Sequence, residues 1–213
     1  MKLNHTTYLI WLSILLLLLA LSSSYYDLAL VDFLNGPDTQ FDFVVKCISD
    51  TSAWITVSFA VLIYLMGLFS GNLLYTQCGF CSALTISVTA ILTYSLKELC
   101  ERVRPNVAYP DIVFQKELLS GWSFPSGHSS GVYAMAFLVS LMFPKRAVVL
   151  TVFLYAAIVS YSRVYLGIHY LSDVLAGAVL GSVVSFVLFK LLKAVNWRLK
   201  LSRLIIRQAS FIG

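Results

Sequence analysis

Residues 147–192 read AVVLTVFLYAAIVSYSRVYLGIHYLSDVLAGAVLGSVVSFVLFKLL. Two apolar runs, Ala147 to about Ser162 and Val174 to Leu192, flank a short segment that concentrates Arg163, His169 and Asp173. Each run approaches the ~20 apolar residues that a helix needs to cross a bilayer. Ionisable side chains at such depth are costly, so these three mark a functional segment by default. His169 and Asp173 are four apart, one turn on the same face of a helix. There the carboxylate would take the imidazole's second proton and fix its tautomer. Arg163, upstream across a turn containing Gly167, offers the fork geometry that suits phosphate.

The rest of the chain agrees with the membrane reading. Of 213 residues, 59% are hydrophobic and 12% charged, against about a quarter charged in a soluble domain. We expect an all-α integral membrane bundle of six transmembrane helices with short interfacial helices, one domain over residues 1–213. The other spans are Tyr8 to Leu21, Ala53 to Tyr75, Cys78 to Leu99 and His128 to Phe143. Three serines follow the first run, as in a cleaved signal peptide. Tyr25 and Tyr26, placed as an interfacial belt, favour a retained span. Between Asp27 and Asp50, five aspartates face a single lysine. A turn at Asn35-Gly36-Pro37-Asp38 divides Leu28–Leu34 from Phe41–Ile48. The two pieces are short amphipathic interfacial helices or a solvated loop. Asn196 to Gly213, with Arg198, Lys200, Arg203 and Arg207, has the pattern of a basic interfacial helix.

The formal charge of +5 fits topology and anionic-lipid affinity better than nucleic-acid binding, because no basic patch alternates with aromatics in a polar region. With six spans, Lys2, Lys145-Arg146 and the basic tail share one side, the cytoplasmic one by the positive-inside rule. The 27–50, 97–128 and 163–173 regions then meet at the outer face. Cys78 and Cys81 have metal-type spacing but no second pair and no nearby histidine, so apolar packing is the better reading. Spacing leaves open whether Cys47 and Cys100 meet.

Three motifs carry chemistry. Lys97 and Arg104 are seven apart, a spacing that shares a helix face, and Pro105 would stop that helix. Arg102, Glu98 and Glu101 read as its solvated end. Phe124-Pro125-Ser126-Gly127-His128 precedes an apolar helix. The backbone N–H groups of Gly127 and His128 and the Ser126 hydroxyl would form an anion nest there. His128 stands where it could give or take a proton. The Arg163, His169, Asp173 segment is the third, and a cation among Lys97, Arg104 and Arg163 would be poorly placed, so no metal is expected.

Lys97-x6-Arg104-Pro105, Pro125-Ser126-Gly127-His128 and Ser162-Arg163-x5-His169-x3-Asp173 resemble the three-part signature of the type 2 phosphatidic acid phosphatase superfamily. The likeness is nearest to small bacterial phosphatidylglycerophosphate, undecaprenyl pyrophosphate and lipid A phosphatases. It implies that His169 attacks phosphorus to form a phosphohistidine, that Asp173 orients it, and that His128 protonates the leaving oxygen and then activates water. Lys97, Arg104, Ser126, Gly127 and Arg163 would bind the phosphoryl oxygens. The implied partners are a phosphorylated membrane lipid and the bilayer, with no cofactor. The implied place is a bacterial inner membrane, with termini cytoplasmic and the site periplasmic. A lipid phosphotransferase using the same site and a non-enzymatic lipid-binding protein are the alternatives.

Overall fold

In a computed structural model, the described residues are 5–209 except 38 and 118, and these fold into helices without strands. In chain order they are α1 (His5–Ser23), a 3-10 turn (Ser24–Tyr26), α2 (Asp27–Asn35), α3 (Asp42–Ser70), α4 (Leu73–Cys100), α5 (Pro105–Ala108), α6 (Gly127–Met142), α7 (Arg146–Tyr165) and α8 (Leu171–Ala209). Among the described residues, four stretches are long and apolar enough to cross a membrane: Asp42–Ser70, Leu73–Ala108, Arg146–Tyr165 and Leu171–Lys193. Their outward faces carry large apolar side chains such as Trp54, Leu62, Phe69, Leu150 and Leu154. Exposed apolar surface on this scale suits lipid as solvent.

α6 is the axis, packed against α8, α7, α4 and α3. Its 16 residues rise only ~24 Å, and Ala134, Phe137 and Leu138 are buried at its middle. The tight α6–α8 crossing depends on glycine. A Cβ at Gly177 would lie 2.6 Å from the Ser126 carbonyl oxygen and 3.0 Å from Ser130 Oγ. Gly181, four residues on, faces Ser130 and Ala134 in the same way. Small residues at this spacing let helix backbones approach, which is how helices associate in lipid.

Several expected boundaries shift. Phe41–Ile48 is no separate interfacial helix: from Asp42 onward it forms the first turns of α3. The Asp42 carboxylate accepts from the Thr39 N–H at 3.0 Å, and no Gly or Pro interrupts the run before Gly67. Leu28–Leu34 is helical, within α2, so the solvated-loop alternative fails there. The second span ends at Ser70, short of Tyr75, because Gly71 turns the chain with φ 64°. Helical backbone continues to Ala209. The side chains of the basic tail, and Lys2, lie outside the described residues.

Candidate active site

Four helix ends meet at one end of the bundle: the C-termini of α4 and α7 and the N-termini of α6 and α8. The α7–α8 turn depends on Gly167, whose φ of 70° suits glycine. A Cβ there would also press to 2.6 Å from Val113 Cγ1. This turn delivers His169 two residues ahead of α8, so His169 and Asp173 do not pair along a helix face as expected.

His169 is 2% exposed and Asp173 is fully buried. His169 Nδ1 lies 3.4 Å from Asp173 Oδ2, a long contact. The reason is competition. Oδ2 also accepts from the Tyr170 N–H at 3.0 Å, as an N-terminal capping carboxylate does, and from the Ser123 hydroxyl. Ser123 Oγ stands 3.4 Å from His169 Nδ1 as well. The other ring nitrogen, Nε2, meets Arg104 Nη1 at 3.3 Å and so points towards the cations. Burial pushes the His169 pKa down to about 3, helped by Arg163 and Arg104 and opposed by Asp173. The ring is therefore neutral at pH 7, with a lone pair to offer.

The cations differ in how they are held. α4 ends at Cys100, with Glu101 left-handed at its cap, so Lys97 and Arg104 share no helix face. Pro105 is no stop but the first residue of α5. The two side chains converge because the chain folds back through loop 120–123. Lys97 Nζ donates to the Trp122 and Ser123 carbonyls at 2.5 and 3.2 Å. Arg104 donates to the carbonyls of Gly121, Ile168 and Ser120 at 3.0, 2.9 and 3.3 Å. Arg163 is 1% exposed, yet its Nε and Nη1 have no hydrogen-bond partner. Glu117 Oε2 stands 3.8 Å from that Nη1, too far for a hydrogen bond. Unpaired donors on a buried guanidinium cost several kcal/mol unless a ligand takes them.

Ser126 is buried at the cap of α6, where its side chain takes none of the first-turn N–H groups. Its hydroxyl accepts from Ser129 at 3.2 Å, and its N–H donates to the Asp173 carbonyl at 3.0 Å. Gly127 and His128 line, with Lys97, the polar end of a cavity of about 360 Å³. The cavity continues between α3, α4 and α6 past Val57, Ile86 and Val132. The structure thus gathers Lys97, Arg104, Ser126, Gly127, His128, Arg163, His169 and Asp173 at one end of the bundle. Among the described residues no three His, Cys, Asp or Glu side chains group as a metal site requires, and the four cysteines are free.

Arg102 is not the solvated helix end expected of it. Its guanidinium donates to Asp173 Oδ1 at 2.6 Å and to Asp27 Oδ2 at 2.8 Å, and lies 3.9 Å over the Tyr170 ring. Glu98 and Glu101 are exposed, as expected. Spacing gives no sign of Ser123 or Asn35. Asn35 is 1% exposed and binds Phe114 and the Tyr165 carbonyl, tying α2 to the segment after α5 and to α7. A lone acid at a helix start, Asp27, was the one available signal for the network around Arg102.

A profile of the PAP2 superfamily matches residues 76–197, more than half of the chain, and the chain belongs to that superfamily. It is 29% identical over 168 residues to the lipid A 4'-phosphatase of Bacteroides thetaiotaomicron, covering 73% of this chain and 72% of that one. It is 37% identical over 134 residues to phosphatidylglycerophosphatase B of Bacillus subtilis, covering 59% of this chain and 61% of that one. The fold matches the crystal structure of the transmembrane PAP2-type phosphatidylglycerolphosphate phosphatase from Bacillus subtilis with a TM-score of 0.69 at 24% identity, over 88% of this chain and 96% of that one. Aquifex aeolicus LpxE matches with a TM-score of 0.60 at 26% identity, over 77% and 94%.

Proposed function

We propose that residues 1–213 work as one domain of six spans, α1 and α6 joining the four long apolar stretches, and that it removes phosphate from a membrane lipid by way of a phosphohistidine. The enzyme class, a metal-independent lipid phosphatase, follows from the superfamily and from relatives named for lipid A, phosphatidylglycerophosphate and undecaprenyl diphosphate. One observation carries the mechanism: a buried Arg163 with unspent donors beside a neutral His169 whose Nε2 faces the cations. A dianionic phosphoryl group would satisfy those donors, with Lys97, Arg104, the Ser126 hydroxyl and the Gly127 N–H completing the cradle.

Nε2 of His169 attacks phosphorus as the bond to the lipid oxygen breaks, and His128 gives that oxygen its proton. Water then attacks the phosphohistidine while His128 takes a proton from it, releasing inorganic phosphate and restoring His169. Asp173 stabilises the charge that His169 gains in the first step. The apolar cavity beside His128 gives the lipid side of the leaving group a place within the bundle. The Lys145-Arg146 turn lies at the opposite end from the site, and the positive-inside rule puts that turn in the cytoplasm and the site outside. We place the protein in a bacterial inner membrane because its relatives include the phosphatases of Bacteroides thetaiotaomicron and Bacillus subtilis.

Purified protein in detergent should release phosphate from at least one of phosphatidic acid, phosphatidylglycerophosphate, undecaprenyl pyrophosphate and lipid A. Release should persist in chelator and vanish in His169→Ala. Turnover by His169→Ala at the wild-type rate would sink the mechanism. Labelled phosphate appearing on another lipid instead of in water would make the protein a phosphotransferase.

A further inference from the structure

Asp27, Arg102 and Ser172 gather behind Asp173, outside the anion cradle, and none of these three has a part in the steps above. Both oxygens of each carboxylate, the Ser172 hydroxyl and both terminal nitrogens of Arg102 are engaged. Arg102 Nη1 donates to Asp173 Oδ1 at 2.6 Å and to Ser172 Oγ at 2.7 Å, while Nη2 donates to Asp27 Oδ2 at 2.8 Å. Asp27 Oδ1 accepts the Ser172 N–H at 2.9 Å, and Asp27 Oδ2 accepts from the Ser172 hydroxyl. Asp27 thereby caps the first turn of α8 from another helix, favourable for an anion at a helix N-terminus. Asp27 is 4% exposed and Asp173 0%, so these charges are shielded from water and from salt. The planar guanidinium can bridge two carboxylates at once, and the Tyr170 ring 3.9 Å below fixes its plane.

We infer that Arg102 is a positioning residue for the attacking histidine: bridged to Asp27, it holds the Asp173 carboxylate so that only Oδ2 faces His169. The inference rests on His169 being the nucleophile. Arg102 also offsets part of the Asp173 charge, so it limits how far Asp173 raises the basicity of His169. The other charged groups acting on His169 are Arg104, from the segment after α4, and Arg163 of α7, both of which oppose its protonation. The start of α2 thus reaches the catalytic pair through two ion pairs, although Asp27 lies 146 positions before Asp173 in the chain.

The test uses full-length protein in detergent with whichever of the four lipids it hydrolyses fastest. Arg102→Gln should lower kcat by about 10- to 100-fold with KM little changed, the usual scale for a group that orients a first-contact residue. The acid limb of kcat/KM should move to higher pH, because removing a cation from Asp173 favours protonated His169. In an Asp173→Asn background the same substitution should cost less than about threefold, since its effect runs through that carboxylate. A fold defect would cost the same in both backgrounds and leave the limb in place, and that result overturns the inference. Arg102→Lys carries the test if the glutamine variant does not fold. A single ammonium cannot hold the same bridge, so a wild-type kcat for lysine also overturns it. His169→Ala separates the two readings. If it is active, the nucleophile assignment fails; if it is dead while Arg102→Gln matches wild type, only the positioning role fails.

Discussion

The two sides of His169 are built on opposite principles. On the carboxylate side, Asp173 and Asp27 are surrounded by donors: Arg102, Ser123, Ser172 and the backbone N–H groups of Tyr170 and Ser172. On the cation side, Arg104 and Lys97 are pinned by loop carbonyls, but Arg163 keeps Nε and Nη1 unpaired at 1% exposure. A satisfied network holds a shape. An unsatisfied one waits for a ligand, because leaving buried donors empty is costly. The difference teaches where flexibility is excluded and where binding energy comes from.

Four measurements would break or sharpen that contrast. The largest effect belongs to the residue between the two sides: His169→Ala should lose at least about three orders of magnitude in kcat, read as phosphate release. Next is the reserve of donors. Arg163→Leu should lower kcat/KM by about 10²- to 10³-fold. It should change thermal stability little, since no hydrogen bond from Nε or Nη1 is lost and only the 3.8 Å ion pair with Glu117 is broken. A clear fall in Tm would show that Arg163 is structural. Asn35→Ala should destabilise the folded state by about 1–3 kcal/mol, since it leaves the Phe114 N–H and the Tyr165 carbonyl without their partner. Thermal melts in detergent check it, and an unchanged Tm would deny Asn35 its tie.

The smallest effect is a pH dependence. The folded-state pKa of His169 is about 3 against an ordinary 6.5, so the unfolded chain takes up a proton first on acidification. Stability should therefore fall as pH drops from about 6.5 towards 3, and His169→Gln should lack this part of the slope. Parallel melting curves for the two proteins across that window would contradict the buried neutral imidazole.

Much of this is legible in the sequence alone. The four long apolar stretches are readable because lipid exposure demands long apolar runs, and the α7–α8 turn because Gly167 punctuates it. The motif residues stood out as ionisable groups in an apolar chain. Failures came where a charged residue had two plausible surroundings. Arg102 next to Glu101 looks like a solvated helix end, and only the positions of α2 and α8 turn it inward. Asp42 reads as part of a short interfacial helix or a solvated loop, but it starts α3 and holds Lys116 at 2.9 Å and the Tyr165 hydroxyl at 2.6 Å.

By itself, then, the sequence determined the solvent, the helical class and the set of chemical groups, because each is set by residue type and local period. The tertiary structure alone decided which donors are spent and which are free. It placed Ser123 against Asp173, gave Arg102 two carboxylates and left Arg163 with none in hydrogen-bond reach. Hydrogen bonds between residues 50 or more positions apart depend on how helices cross, here through Gly177 and the Gly167 turn, and no local pattern encodes that.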